Sequence, residues 1–284
     1  MLERDEYPTG VPCWVDLVQP DHDATVGFYG GLFGWTFDVR TPEAAPMRYA
    51  YALLDGRTVG GVGTPVPGEE SPSGWTSYVA VDSADQAAAA VEANGGRVLV
   101  APSDVPGAGR VGLCADPEGA VVGLWQPAEN RGAQAVNEPG AWNFSELHTA
   151  DPDAAERFYG AVFGWVSNPF DLGDGQKAGV WRVPGYSDLL AERDSEIRER
   201  QQADQVPEGF ADAVALMQPL GADAGARWTV TFAVADADAA FARAAGLGAT
   251  VVTPLFDTDY TRMGVVRDPQ GAAFTLSEYR PPSG

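Results

Sequence analysis

Apolar and polar positions along this 284-residue chain follow one order four times: a strand, a helix and then three strands. The first strand covers residues 13–19, where apolar and polar side chains alternate. Trp14 and Asp16 fall on one face of this strand. Val15 and Leu17 fall on the other face. The corresponding strands of the other three units are predicted at residues 75–81, 143–149 and 228–235.

The helices of the first and third units have matching start and stop signals. Asp21 and Asp151 are suited to cap a helix, because an aspartate side chain accepts hydrogen bonds from the first free backbone N–H groups. Gly34 and Gly164 are suited to end it, because glycine adopts the left-handed backbone conformation that closes a helix. A helix is therefore predicted between each pair of signals.

An aromatic and glycine-rich octet is written twice. Residues 28–35 read FYGGLFGW and residues 158–165 read FYGAVFGW, so six of eight positions are identical at a separation of 130 positions. Such an internal repeat indicates a duplicated unit. We expect a first domain at residues 1–128, a linker at 129–140 and a second domain at 141–284.

The second domain is longer than the first. The turn at residues 116–119 recurs at 268–271, which is 152 positions later, so 22 residues are inserted in the second domain. The insertion is predicted near residues 186–221, with a charged surface helix at 189–205 and a shorter helix at 210–217. A lid over a pocket and a solvated surface decoration are both compatible with this composition.

Composition narrows the classes of partner. With 45% hydrophobic and 20% charged residues the chain is typical of globular proteins, and a net charge of −22 disfavours nucleic acids and anionic membranes. No run of 18 apolar residues occurs, and Cys13 and Cys114 are too far apart for a paired motif. We expect a cytoplasmic protein with reduced cysteines, no membrane span and no signal peptide.

The aspartate-started helix that runs into Phe-Tyr and Phe-Gly-Trp, together with the Asp-Pro-x-Gly turn before the last strand, resembles the vicinal oxygen chelate superfamily. This group includes glyoxalase I, the bleomycin-resistance proteins and the extradiol dioxygenases, and the similarity is to its tandem two-domain members. The resemblance implies an α+β fold in which pairs of βαβββ modules curl their sheets into cups, one per domain. Modules could pair within a domain or by exchange.

The resemblance also implies where a metal would bind. Metal-using members place ligands on the first strand of each module, seven positions before the aspartate that opens the helix, and on the last strand. None of these positions carries a usual metal ligand here, and the whole chain has two histidines. We therefore expect no metal and no cofactor. The six positions hold Trp14, Trp75, Phe144, Thr229, Gly123 and Thr275.

The first cup is expected to be aromatic, with one carboxylate. Alternation places Trp14 and Asp16 in it, together with Trp75 and Trp125. Indole faces suit a flat or cationic ligand, and a nearby aspartate favours a cationic one. These tryptophans are equally compatible with a packed core.

The second cup contains the one pair of residues with acid–base potential. Glu146 and His148 are two positions apart on a strand, so both side chains project to the same side. A structural histidine bonded to its neighbours is the alternative interpretation. The further residues expected to bind a ligand in this cup are Phe144, Trp181, Thr229 and Thr275.

Three functions follow from these patterns. The first is metal-independent binding of a small molecule, with sequestration of an aromatic metabolite or antibiotic as one form of it. The second is a cofactor-free lyase or isomerase with Glu146 as base and His148 as acid. The third is metal-dependent glyoxalase or dioxygenase chemistry. The expected partner is a small-molecule ligand, and both a monomer and a homodimer are compatible with the sequence.

Overall fold

The computed structural model describes residues 4–68, 74–173, 176–193, 210–220 and 225–280. It contains two open eight-stranded mixed sheets and five α-helices in the described residues, which confirms the α+β class and the tandem arrangement. No helix in these ranges is long and apolar enough to cross a membrane.

The first sheet is built from residues 12–127. In chain order its elements are β1 (Pro12–Val18), α1 (His22–Phe33), β2 (Thr36–Val39), β3 (Tyr49–Leu54), β4 (Arg57–Gly63), β5 (Gly74–Ala80), α2 (Ala84–Ala93), β6 (Arg97–Val105), β7 (Gly109–Ala115) and β8 (Val121–Pro127).

The second sheet repeats this plan over residues 142–279. Its elements are β9 (Trp142–Thr149), α3 (Pro152–Phe163), β10 (Val166–Gly173), β11 (Gln176–Arg182), α4 (Tyr186–Arg193), β12 (Ala213–Pro219), β13 (Arg227–Ala233), α5 (Ala237–Gly246), β14 (Thr250–Asp257), β15 (Thr261–Arg267) and β16 (Ala273–Tyr279).

Each sheet joins two consecutive modules. The strand orders are β2-β3-β4-β1-β5-β8-β7-β6 and β10-β11-β12-β9-β13-β16-β15-β14. The two modules of a sheet meet where β1 pairs with β5, or β9 with β13, in antiparallel fashion. The modules therefore pair within each domain and are not exchanged.

The helix signals of the first and third modules are confirmed. The Asp21 side chain accepts a hydrogen bond from the Ala24 N–H at 2.9 Å, and Asp151 accepts from Ala154 at the same distance. Gly34 and Gly164 end their helices with φ angles of 76° and 72°. These two angles lie in the left-handed region, where glycine is favoured.

The helix predicted at residues 210–217 is wrong. Residues Phe210–Asp212 form one 3₁₀ turn, and β12 follows at once. β12 pairs with both β9 and β11, so it supplies the fourth and last strand of its module. Tertiary pairing overrides local helix preference here. Of the charged helix predicted at 189–205, α4 covers the first residues, and positions 194–205 lie outside the described residues.

The repeated octet lies at the contact between the domains. The Tyr29 hydroxyl in α1 donates to Asp268 of the second domain at 2.9 Å. In the matching arrangement, the Tyr159 hydroxyl in α3 donates to Asp116 of the first domain at 3.0 Å. Each repeated helix is thus held by the Asp-Pro-x-Gly turn of the other domain.

The segment before β1 and the segment before β9 are equivalent in the repeat. Each contains a glycine whose N–H donates a hydrogen bond to the last carbonyl of β5 or β13. The carbonyl of the same glycine accepts a hydrogen bond from a tryptophan indole of the other domain. Residues 129–140 are therefore hydrogen-bonded to both domains. The Gly10 N–H donates to the Ala80 carbonyl at 2.8 Å, and the Trp165 indole donates to the Gly10 carbonyl at 2.5 Å. The Gly140 N–H donates to the Ala233 carbonyl at 2.8 Å, and the Trp35 indole donates to the Gly140 carbonyl at 2.7 Å.

Candidate functional site

We define the cup face of each sheet as the face that carries Asp16 in the first domain and Glu146 in the second. Opposed residues of an antiparallel pair point to the same face. Asp16 is opposite Thr76 and Trp14 is opposite Tyr78, so these four side chains share the first cup. The other face packs against helices from both domains.

The Asp16 carboxyl is the centre of the first cup. Its Oδ1 and Oδ2 atoms both accept from the Tyr78 hydroxyl at 3.1 Å. Oδ2 also accepts from the Tyr49 hydroxyl at 3.1 Å, and that hydroxyl accepts from the Trp14 indole at 3.1 Å. Burial raises the pKa of Asp16 to about 7, with the two tyrosine hydrogen bonds opposing the shift.

Aromatic rings fill the first cup because glycines leave them room. A Cβ atom added at Gly123 would lie 2.0 Å from the Tyr78 ring. A Cβ atom at Gly61 would lie 2.2 Å from the Tyr49 hydroxyl. The two tyrosines therefore lie against the backbone of the sheet. Trp14 and Trp125 are also buried, at 4% and 7% exposure, and the Trp14 ring lies 5.4 Å from the Tyr51 ring in an edge-on contact.

Trp75 does not line the first cup. It is opposite Leu17 and faces the domain interface, where its indole donates to the Tyr29 hydroxyl at 3.1 Å. The expectation counted seven positions back from Asp82, but the residue that caps α2 is Ser83. Counting from Ser83 gives Thr76, which does face the cup.

The second cup has its carboxyl at the equivalent position. Glu146 is opposite Thr229, and its Oε1 atom accepts from the Thr231 hydroxyl at 2.9 Å. Thr231 stands where the first cup has Tyr78, so the pair of a carboxyl and a neighbouring hydroxyl is duplicated. Burial raises the pKa of Glu146, and the Thr231 hydrogen bond opposes the shift.

His148 lies on the same face as Glu146, as the sequence indicates. Its Nε2 atom is 3.3 Å from the Thr229 hydroxyl, and the described residues show no hydrogen bond between His148 and Glu146. Burial, followed by the charge of Arg227, lowers the pKa of His148 to about 4. The imidazole is therefore neutral near pH 7.

Two further predicted residues lie in the second cup, and one does not. Phe144 on β9 and Thr275 on β16 are the two strand neighbours of Thr231, so both face the cup with it. The prediction that Trp181 lines the cup is wrong. This side chain is fully buried on the opposite face, 5.6 Å from the Tyr159 ring. Val180, the preceding residue of β11, faces the cup instead. It pairs with Leu216 of β12, and Leu216 pairs in turn with Glu146.

The positions that hold a metal in related folds do not fit one here. With the corrected alignment they carry indole, phenyl, hydroxyl and hydrogen groups, none of which is a usual ligand of a divalent transition metal. Within the described ranges, no three His, Cys, Asp or Glu side chains gather closely enough to hold a metal ion. The six positions are Trp14, Thr76, Gly123, Phe144, Thr229 and Thr275.

Tyr49 and Tyr78, which donate hydrogen bonds to the Asp16 carboxyl, were not predicted from the sequence. A signal for Tyr78 was available, because counting back from the Ser83 cap places Thr76, and with it Tyr78 two positions later, on the cup face. No local pattern places Tyr49, because it lies on β3 and reaches Asp16 only through the sheet order.

Family comparisons agree with the two-domain organisation. Residues 13–124 match the model described as the glyoxalase/bleomycin resistance protein/dioxygenase superfamily, and residues 144–277 match a glyoxalase-like domain.

Among characterised sequences, "Putative glyoxylase CFP32" of Mycobacterium tuberculosis is 35% identical over 99% of both chains. The anthracycline biosynthesis protein DnrV of Streptomyces peucetius is 35% identical over 96% of this chain and 95% of its own.

Solved structures share the fold at low sequence identity. The Mn(II)-bound glyoxalase from Novosphingobium aromaticivorans superposes with a TM-score of 0.58 at 15% identity, over 95% of this chain and 82% of its own. The 2,2',3-trihydroxybiphenyl 1,2-dioxygenase from Sphingomonas wittichii also gives 0.58, at 14% identity, over 95% and 91%.

Proposed function

This chain belongs to the glyoxalase/bleomycin resistance protein/dioxygenase superfamily, and from that premise we propose that it binds an aromatic small molecule in its second cup without a metal ion. The observation that carries the proposal is the different state of the two equivalent carboxyls. Asp16 is bonded at both oxygens, whereas Glu146 accepts one hydrogen bond among the described residues.

The free hydrogen-bonding capacity of Glu146 faces the cup. A carboxylate offers about four acceptor positions, and Thr231 uses one of them at Oε1. Glu146 is 8% exposed, and its second oxygen is not among the buried atoms that lack a partner, so that oxygen is open to a donor from water or from a ligand in the cup. A ligand with an O–H or N–H group provides that donor.

The second cup has fewer large rings than the first, although Leu216 and Thr275 stand where the first cup has Gly61 and Gly123. Where the first cup carries three large rings, the second carries small side chains at the paired positions. Removing aromatic bulk from a concave face leaves space for an organic ligand. The replacements are Tyr51 by Val180, Tyr78 by Thr231 and Trp125 by Ser277.

The remaining wall suits a planar ligand. The Phe144 ring is half-buried and 5.9 Å from the Phe210 ring, which gives an aromatic surface beside the Glu146 carboxyl. The relatedness to anthracycline biosynthesis proteins supports a planar aromatic ligand, because anthracyclines carry fused rings with hydroxyl groups. A hydroxyl can donate to Glu146 while the rings lie against Phe144.

We expect Glu146→Gln to weaken binding of an anthracycline aglycone by about 10-fold or more, because an amide nitrogen replaces one acceptor oxygen. Quenching of the intrinsic fluorescence of the eight tryptophans measures the affinity. The control is Asp16→Asn, the same change in the first cup, which should leave the affinity within about 2-fold. Equal weakening by both variants, or by Asp16→Asn alone, would move the site to the first cup.

A second candidate function is a cofactor-free lyase or isomerase. The observation in its favour is that Glu146 and His148 share one face, with the pKa of Glu146 raised and His148 neutral. A desolvated carboxylate with a raised pKa is a stronger base towards a carbon-bound proton. A neutral imidazole nearby can donate a hydrogen bond to the oxygen that gains charge.

This candidate predicts that the protein catalyses exchange of a carbon-bound hydrogen of the ligand with solvent deuterium. Glu146→Gln should slow the exchange by about 10²- to 10⁴-fold while the circular dichroism spectrum is unchanged. Activity should be lost as the pH falls through the raised pKa of Glu146, because the base must be deprotonated. Mass spectrometry measures the deuterium. Ligand binding without deuterium exchange would contradict this enzymatic function.

A further inference from the structure

A small recess lies beside the second cup, where the N-terminal segment crosses the second domain. It has a volume of about 60 Å³, which is roughly the space of two water molecules. Arg4, Tyr186 and Asn143 are among its lining residues, and so is Phe144, which also faces the second cup. The recess therefore adjoins the cup without belonging to it.

Arg4 places a positive charge in this recess. Its guanidinium donates to the Tyr186 hydroxyl, and its Cζ atom lies 5.5 Å from the Tyr7 ring centroid and 5.7 Å from that of Tyr186. Among the described residues no carboxylate forms an ion pair with it. A guanidinium has five N–H donors, so most of them have no bonded acceptor in this part of the chain.

Other half-buried arginines among the described residues do have acidic partners, and Arg262, for example, is paired with Asp238 and Asp257. The half-buried Arg57 is paired with Glu138, and Arg110 is paired with Asp85 and Asp104. A partly buried cation without an anion costs solvation energy that a bound anion can restore.

The repeat shows that the recess is specific to the second domain. The residue equivalent to Arg4 in the repeat is Gln134, which lies in the segment that contacts the first domain. Its Oε1 atom accepts from the Thr58 N–H at 3.0 Å. Next to it, Leu54 and Arg57 end the tight hairpin of β3 and β4. In the second domain the insertion replaces that hairpin, and its first helix brings Tyr186 to Arg4. The insertion thus builds one wall of the recess.

Two amide side chains complete the set of donors. Asn143 and Asn137 both line the recess, and neither side chain hydrogen-bonds another described residue. Asn143 stands where the first domain has the buried Cys13, so its amide is a polar feature that the duplicate lacks. Guanidinium and amide groups that line one small space can supply donors to an oxyanion.

We propose that this recess binds the carboxylate of a small aromatic acid, with Arg4 as the main donor and Asn143 as a second. The planar fork of a guanidinium matches the two oxygens of a carboxylate. A carboxylate bound by Arg4 leaves the aromatic part of the ligand against Phe144, which lines both the recess and the second cup. This inference concerns a site separate from the Glu146 carboxyl and stands independently of the second-cup proposal.

Benzoate is the probe for this site, and benzamide is its neutral counterpart. Isothermal titration of the full chain at constant ionic strength should show benzoate binding at least 10-fold more tightly than benzamide. Arg4→Gln should weaken benzoate binding by about 10- to 100-fold and remove the difference between the two probes. Asn143→Ala should weaken it by several-fold.

Arg40→Gln is the matched control. Arg40 also lies over a tyrosine ring, with its Cζ atom 4.7 Å from the Tyr51 centroid, but it is exposed and paired with Asp38. Its loss should leave benzoate affinity unchanged. Equal affinity for benzoate and benzamide, or wild-type affinity in Arg4→Gln, overturns the proposal. If Arg4→Gln fails to fold, unchanged affinity in Asn143→Ala overturns it instead. Titration with the anthracycline aglycone reports separately on the second cup.

Discussion

Asp16→Asn should stabilise the protein at pH 8 by on the order of 3 kcal/mol. Burial raises the pKa of Asp16 from 3.8 to about 7, so ionising it in the folded state costs on the order of 4 kcal/mol more than in the unfolded chain. Asparagine keeps one acceptor for the Tyr78 hydroxyl and carries no charge. We subtract about 1 kcal/mol for the weaker bond to Tyr49.

The sign of the pH dependence follows from the raised pKa. Below about pH 4 the carboxyl is protonated in both states, and its full contribution to stability is present. That contribution is lost as the pH rises through the folded-state pKa of about 7. The unfolding free energy of the wild type relative to Asp16→Asn should therefore fall between about pH 4 and pH 7 and be level above pH 8.

Urea unfolding followed by tryptophan fluorescence at pH 4.5, 6 and 8 measures this difference. His148, whose pKa is lowered to about 4, contributes in the opposite direction, since its stabilisation is lost as the pH falls from about 6.5. It is present in both proteins, so it cancels. The exposed Glu129 provides the control, because Glu129→Gln should change stability by less than about 0.5 kcal/mol. If the difference in unfolding free energy between the wild type and Asp16→Asn does not change with pH, the prediction that burial raises the pKa of Asp16 is refuted.

The fold was largely predictable because its signals are local. The capping aspartates at positions 21 and 151, the ending glycines and the repeated octet each depend on a few adjacent residues. The same signals fixed the module order. They could not show that β12 follows the insertion, because a central strand is defined by its partners β9 and β11 and not by its own pattern.

The cups were predictable only in part, because a facing residue depends on register. Taking Asp82 instead of Ser83 as the cap of α2 shifted the count by one residue, so Trp75 was placed in the cup although Thr76 and Tyr78 face it. The sequence identified Asp16 and Glu146 as the carboxyls. It could not show that tyrosines satisfy the first while the second keeps an unmet oxygen, since Tyr49 comes from a distant strand.

The duplication separates features shared by both domains from features confined to one of them. A residue needed for folding is expected in both copies, and the interdomain pairs Tyr29–Asp268 and Tyr159–Asp116 are present in both. The features confined to the second domain are the small cup side chains, the insertion and the Arg4 recess. Each of these opens space or supplies unmet hydrogen-bonding groups. These are the features on which the proposed second-domain site rests.

Asp268→Ala should destabilise the protein by about 3–5 kcal/mol, because one carboxylate joins a turn to the other domain. Its Oδ1 atom accepts from the Gln270 and Ala272 N–H groups, both at 2.9 Å. Its Oδ2 atom accepts from Gln19 Nε2 at 2.7 Å and from the Tyr29 hydroxyl at 2.9 Å. Alanine leaves all four donors without this acceptor.

The duplicate residue supplies the matched comparison. Asp116 accepts from the Glu118 and Ala120 N–H groups and from the Tyr159 hydroxyl, and it has no counterpart of the Gln19 bond. Asp116→Ala should therefore cost about 1 kcal/mol less than Asp268→Ala in urea unfolding. In a double-mutant cycle, Tyr29→Phe should cost about 1–2 kcal/mol more in the wild type than when Asp268 is already alanine, because the two groups share one bond and the loss of the Trp75 bond is common to both backgrounds. Additive effects would mean that the Tyr29–Asp268 bond does not hold the domains together.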